Sequence, residues 1–291
     1  MNESKPMPYL DAMDAHGFVD ATATRDKGRE LATAYNAAAP FPHIIIDNFL
    51  PPEILELCLD LFPEQIATDT MHFDRGQERY KVQYNPDILP YELRTLFYAF
   101  NARPFIRVLE NITGIKGIIP DPYFLGAGFH ETTTSGHLSI HADFNYHKPM
   151  NLERRINLLI YLNKDWQADY GGELELWDHE MQHKVVHTVP LFNRCVIFNT
   201  TSDSYHGNPA PVNHPQGLPR RSIALYYYTA TWVGPKREHT TQFQVRTGTA
   251  DRIDWRVKSR ELIVDLLPPL LQRTLARARR AAAYNGVTAR K

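Results

Sequence analysis

From about Pro122 to Thr231, runs of apolar or β-branched residues alternate with clusters of Gly, Pro, Asn and Asp. The runs are Tyr123–Phe129, Ile156–Leu162, Glu173–Trp177, Lys184–Val189, Arg194–Phe198 and Arg221–Thr231. Short strands with turn signals at this spacing predict a β-sandwich or barrel. Upstream, His43–Asp47 reads as a short buried strand, because Ile44, Ile45 and Ile46 are consecutive and β-branched. Pro51-Pro52 then opens a helix carrying Ile54, Leu55, Leu57, Leu59 and Leu61. A second helix is predicted over about Pro90–Leu109, another near Thr24–Ala38, and a last one over Ser259–Ala283, interrupted by Pro268-Pro269. The expectation is an α+β fold with a mostly β core. Residues 1–40 form a partly helical N-terminal segment. Residues 41–245 form the main domain, with a barrel core at 122–232. Residues 246–291 form a helical extension with a basic tail.

Composition narrows the function classes. With 43% hydrophobic residues the chain can offset its ordering entropy by burial. A net charge of -1 leaves no nucleic-acid footprint on the whole molecule. The basic run Gln272–Lys291 reads as a solvated helix face. No apolar run approaches the roughly 18 residues a bilayer span requires, and MNESKPMPYLDAMD has no signal-peptide core. Two cysteines, Cys58 and Cys195, exclude a disulfide framework and a Cys-based zinc finger. These features predict a soluble, cytoplasmic protein without membrane or nucleic-acid partners. Oligomeric state is open.

Histidine carries the chemistry. His179-Glu180-Met181-Gln182-His183 spells the zinc-protease pattern H-E-x-x-H, which needs a helix to put both imidazoles on one face. Strand-like segments flank it closely on both sides, so the segment reads as a hairpin turn. H-x-D occurs twice, at His72-Phe73-Asp74 and His141-Ala142-Asp143; with 13 histidines, about one such triplet is expected by chance. The first sits in MHFDRGQERY, a polar stretch read as a surface loop. The second lies in GHLSIHADFNYH, where a strand points residues i and i+2 to one face. His141 and Asp143 then bite one ion from one side, and His206, after the apolar strand Arg194–Phe198, supplies a third ligand. Two imidazoles and a carboxylate leave positions open on Fe(II) for a chelating cosubstrate and O₂. A cosubstrate such as 2-oxoglutarate has a distal carboxylate that needs a buried cation. Along the strand beginning at Arg220, alternation separates Arg220, Ser222, Ala224 and Tyr226 from Arg221, Ile223, Leu225 and Tyr227. The first set suits a cavity wall and the second a helix-covered face. Arg220 is the predicted anchor, and Arg221 replaces it if a bulge shifts the parity.

The ordered set HxD, YLNKDW, GGEL, His and Arg, within Tyr123–Thr231, resembles prolyl-hydroxylase-type 2-oxoglutarate/Fe(II) dioxygenases, as does the upstream FPHIIIDNFLP. The resemblance implies a double-stranded β-helix (jelly-roll) barrel with flanking N- and C-terminal helices, Fe(II) on His141, Asp143 and His206, and Arg220 on 2-oxoglutarate. It implies that Tyr161 donates a hydrogen bond to 2-oxoglutarate and that Leu174 lines the same pocket. Succinate and CO₂ are the expected coproducts of C–H hydroxylation, with ascorbate as an optional addition. The implied substrate is a prolyl residue in a peptide or protein, or a small amino-acid-like metabolite. Asp143, where halogenating relatives carry a small residue, favours hydroxylation. Two features depart from the family: a longer connection, NPAPVNHPQGLP, between His206 and Arg220, and no tyrosine on the strand before HxD, where His130 or His137 stands instead. Asn145, Tyr146, His147, Trp177 and Trp232 are candidate substrate contacts on the rim. The competing classes are a zinc metalloprotease using HEMQH and a non-catalytic jelly-roll binding protein.

Overall fold

A computed structural model of the chain describes residues 7–63, 70–232, 238–246, 248, 249, 251 and 255. Met1–Asp251 form one compact unit, and Arg252–Lys291 a second. The expected Ser259–Ala283 helix and the basic tail lie outside the described residues.

The described chain is built on one curled, antiparallel sheet. Its strands are β1 (His43–Ile46), β2 (Thr70–Arg75), β3 (Glu78–Tyr84), β4 (Ile119–Pro120), β5 (Gly128–Ala142), β6 (Tyr146–His147), β7 (Leu152–Tyr161), β8 (Leu174–Trp177), β9 (Lys184–Thr188), β10 (Cys195–Asn199), β11 (His206–Asn208), β12 (Arg220–Thr229) and β13 (Gln242–Phe243). The main path runs β1-β10-β7-β12-β5-β11-β8-β9. The long strand β5 makes the curl possible. Its first half pairs with β12, its second half with β11 and β13, and β3 runs beside both. Between the halves Ser135 takes a left-handed backbone (φ 65°) and β3 loses register. The bend turns β11, β8 and β9 over the other half. The outcome is the mostly β jelly roll expected, with helices α1 (Ala32–Ala37), α2 (Pro52–Asp60), α3 (Tyr91–Phe100) and α4 (Arg103–Thr113).

The two sides of β7 and β12 differ in kind. Ile156, Leu158 and Ile160 of β7 and Ile223, Leu225 and Tyr227 of β12 face outward into a core shared with Leu93, Phe97, Phe100, Phe105, Val108 and Leu109 of α3 and α4. Leu10, Val19 and Tyr35 of the N-terminal segment join that core. Each such side chain contributes about 1.5–3 kcal/mol on burial. Inside the curl a smaller cluster holds Phe41, Tyr161, Leu174, Leu176, Val196 and Phe198. Ile45, Leu159 and Val186 pack against it, and polar residues such as Asn157, Arg220 and Ser222 share that face.

Four local expectations are corrected. The single helix over Pro90–Leu109 is two helices, α3 and α4. A continuous helix would drive the Pro104 ring into the carbonyl of Phe100, so the chain breaks at Asn101-Ala102 and Pro104 opens the next helix. Helix near Thr24–Ala38 shortens to α1, preceded by a 3-10 turn at Arg29–Leu31. Tyr123–Phe129 is mostly a turn. The Asp121 carboxylate accepts from the backbone N–H groups of Tyr123 (2.8 Å) and Leu125 (2.7 Å), and Phe124 turns left-handed. The polar stretch around His72 is not a loop but the β2–β3 hairpin, where His72 pairs with Val82 and lies exposed.

Candidate active site

The bend in β5 brings His206 of β11 directly opposite His141 of β5. Asp143 follows β5 by one residue and faces both rings. His141 Nε2 lies 3.5 Å from one carboxylate oxygen, Oδ1, and His206 Nε2 lies 3.3 Å from the other, Oδ2. One donor atom from each residue falls within 4.8 Å of the others. The carbonyls of Ser139 and Ser204 each stand 2.9 Å from an imidazole Nδ1. Each ring therefore donates from Nδ1 and keeps the Nε2 lone pair free, facing the centre of the group. Burial pushes the His206 imidazole below its ordinary value, with Asp143 pulling the other way. Burial works against the Asp143 carboxylate, yet Arg154 and the two histidines outweigh it and hold it well below the usual range. Phe198 packs edge-on against His206 at 4.7 Å, and Phe243 of β13 covers His141 at 5.5 Å.

Deeper in the curl, Arg220 is 6% exposed. Its Nε donates to the carbonyl of Gly172 (2.7 Å), and its guanidinium lies 5.0 Å from the centre of the Tyr161 ring. No described carboxylate lies within ion-pair distance of it. Burial lowers its proton affinity, and Tyr161 partly restores it. The Tyr161 hydroxyl is buried and has no hydrogen-bond partner among the described residues. Leu174 packs in the same cluster as Tyr161. Arg221 points the other way, donating to Glu131 at 2.8 Å. The glycine pair before Leu174 is sterically dictated. A Cβ on Gly172 would stand 2.7 Å from Arg220 Cδ, and one on Gly171 would meet the Pro211 carbonyl at 2.1 Å. Pro211 belongs to the long connection before Arg220. That connection is pinned by Ala210 O to Gly172 N–H, by Val212 N–H to Gly136 O, and by Val212 O to Ser135 N–H. It closes the Arg220 end of the curl.

Of the two histidines before HxD, His130 faces inward, opposite Ser222 of β12 and Gln83 of β3, and is 8% exposed. Its Nε2 stands 2.9 Å from Gly126 O. Burial, with Lys81, Arg220 and Arg154 nearby, pushes it well below the ordinary histidine value. His137 is half-buried, its Nε2 3.2 Å from Gly76 O. His147 is no rim residue: it is fully buried, and its Nε2 meets Asp121 Oδ1 at 3.1 Å. Tyr146 stacks near Trp232 (5.9 Å), Asn145 holds His239 N–H, and Trp177 donates to Glu175. His179 and His183 sit in the turn joining β8 and β9, without the helix that H-E-x-x-H needs.

Sequence reasoning missed Arg154. Strand parity from Asn157 aims Arg155 inward. A bulge opposite Tyr227 and Tyr228 of β12 shifts the register and puts Arg154 there instead. Arg154 is 1% exposed, donates to Asn157 Oδ1 (2.7 and 3.0 Å) and forms an ion pair with Asp143 Oδ2 (3.0 Å). Two adjacent arginines at the start of a strand that ends in the apolar run Leu158–Tyr161 are the available signal.

Residues 127–228 match the 2OG-Fe(II) oxygenase superfamily. Among curated proteins it resembles the prolyl 3-hydroxylase OGFOD1 of Mus musculus, at 23% identity over 251 residues. The alignment takes in 80% of this chain, and the chain spans only 43% of that relative's length. Solved structures of oxygenase folds also align. A Pseudomonas putida prolyl-4-hydroxylase matches at 16% identity and TM-score 0.46, covering 68% of this chain and 98% of that one. HygX of Streptomyces hygroscopicus, solved with nickel and 2-oxoglutarate bound, matches at 10% identity and TM-score 0.48, covering 70% of this chain and 88% of that one. The superfamily match begins just before β5 and ends in β12, so it takes in His141, Asp143, His206 and Arg220.

Proposed function

We propose that this protein is an Fe(II)- and 2-oxoglutarate-dependent hydroxylase, with residues 41–245 as its catalytic domain. The observation that carries the reading is the convergence of His141, Asp143 and His206 on one point. Two neutral imidazoles and one carboxylate, each ring oriented by a backbone carbonyl, suit Fe(II) and leave positions for other ligands. Arg220 and Tyr161 suit the cosubstrate: a buried cation without a carboxylate beside a buried hydroxyl without a partner is a site prepared for an anion. Leu174 supplies apolar wall beside them. When bound, Fe(II) and 2-oxoglutarate supply the activation of O₂ for C–H hydroxylation, with succinate and CO₂ as coproducts. Arg220 would hold the distal carboxylate, Tyr161 would donate to it, and Phe198 and Phe243 would keep water from the histidines.

The proposed substrate is a prolyl residue in a peptide or protein, or a small amino-acid-like metabolite; the name of the OGFOD1 relative supports the prolyl choice. Ascorbate enters as an accessory reductant. No helix among the described residues is long and apolar enough to cross a membrane. Both cysteines are free and buried, which suits the cytoplasmic location we propose. The test is succinate formation from 2-oxoglutarate by the purified protein with Fe(II) and ascorbate. The reading requires turnover that disappears in His141→Ala and weakens in Arg220→Ala. Absence of both turnover and metal-dependent 2-oxoglutarate binding in the wild type overturns it.

A further inference from the structure

Among the described residues Arg154 is the most enclosed arginine, lysine or carboxylate, 1% exposed. Its guanidinium lies between the rings of Tyr226 (3.6 Å) and Phe144 (4.4 Å), and its only described carboxylate partner is Asp143. A guanidinium taken from water is costly unless it is paired and hydrogen-bonded, and an apolar side chain would fill such a slot at less cost. The chain places it there through a register shift in β7, which is more than packing requires. Asn157, 3% exposed, completes the arrangement. Its Oδ1 accepts twice from Arg154, and its Nδ2 donates to Asp143 Oδ2 at 2.7 Å. The Asn157 hydrogen bond and the Arg154 ion pair therefore converge on the same carboxylate oxygen, Oδ2, which His206 Nε2 meets at 3.3 Å, while Oδ1 has His141 Nε2 at 3.5 Å.

Building on the metal-site reading above, we infer that Arg154 and Asn157 are positioning residues that reserve Asp143 Oδ2 and present Oδ1 alone to the metal. Asp143 is the ligand most in need of such a clamp. It lies just beyond the end of β5, where no ladder bond fixes its side chain, and a free carboxylate turns readily to offer both oxygens. Held by one oxygen, it occupies one coordination position and leaves the others for cosubstrate and O₂. Outer partners of metal ligands commonly change metal affinity by about 10–100-fold when removed.

The experiment uses the full chain without 2-oxoglutarate. Mn(II) affinity is measured by calorimetry and the ligand-field spectrum with Co(II), for wild type, Asn157→Ala and Arg154→Lys, each checked for native circular dichroism. The lysine variant keeps the buried positive charge and loses the fork. Both variants should bind Mn(II) about 10–100-fold more weakly and shift the Co(II) bands. A folded variant with wild-type affinity and an unchanged spectrum overturns the inference. Should neither variant fold, infrared difference spectra of Zn(II)-loaded wild type decide. Widely split carboxylate stretches mark single-oxygen ligation and support it, and closely spaced ones mark a chelating Asp143 and sink it. Failure of the wild type to bind any divalent ion would instead remove the dioxygenase reading.

Discussion

The two faces of β7 and β12 carry residues from the same strands and answer to different demands. Outward, Ile156, Leu158, Ile160, Ile223 and Leu225 meet Phe97, Phe100 and Phe105, and any well-fitting apolar side chain would serve. Inward, Asn157, Tyr161, Arg220 and the displaced Arg154 each have a specific geometry. Among the described residues the buried Tyr161 hydroxyl has no hydrogen-bond partner. A fold tolerates such groups where a ligand, rather than the protein, is to satisfy them. The outer face should therefore govern stability, and the inner face binding and turnover.

Three substitutions test that division. His141→Ala on the inner face should abolish Fe(II)-dependent succinate formation, a loss of at least roughly 10³-fold, given the several kcal/mol a metal contributes to such chemistry. The thermal midpoint of the metal-free protein should hardly move. Parallel assays of succinate and calorimetric unfolding measure both. A large fall in the midpoint would show that the inner face also carries the fold. Phe97→Ala on the outer face, where Phe100, Phe124 and Phe129 surround the ring, should lower unfolding stability by about 3–5 kcal/mol. Its KM for 2-oxoglutarate should match wild type at a temperature where the variant is folded. Arg220→Ala should raise the 2-oxoglutarate KM by about 10–100-fold through loss of a charged hydrogen-bonded pair. An unchanged KM would leave the anchor unassigned.

The smallest expected effect lies away from both faces. Arg194 hydrogen-bonds Asp47 and holds its carboxyl below the ordinary value, more than burial raises it. A depressed carboxylate stabilises the fold at pH above its unfolded value, and that contribution fades as pH falls through its folded value. Asp47 is largely exposed, so solvent screens the pair, and Asp47→Asn should cost less than about 1 kcal/mol at neutral pH. The difference from wild type should shrink in acid unfolding curves, and a gap that persists at low pH would contradict the sign.

The histidines show how context sorts one residue type. HEMQH matches a metal pattern in letters, yet it spans only the turn between β8 and β9. His147 follows the HxD strand closely enough to suggest the rim, yet Asp121 draws it fully inside. Tandem spacing reports which residues share a face only where the local element is regular.

Period-two alternation made β7 and β12 readable by themselves. The parity that sends Tyr161 and Arg220 inward, and Ile223 and Leu225 outward, is a property of one extended chain. His141-Ala142-Asp143 was legible for the same reason. Tertiary structure decided what depends on a second strand. The bend at Ser135 sets His206 opposite His141, and the pinned connection through Pro211 closes over Gly171 and Gly172. Above all, the register shift against β12 exchanges Arg155 for Arg154 beside Asp143. A bulge is an agreement between two strands about hydrogen-bond register, so neither sequence states it alone.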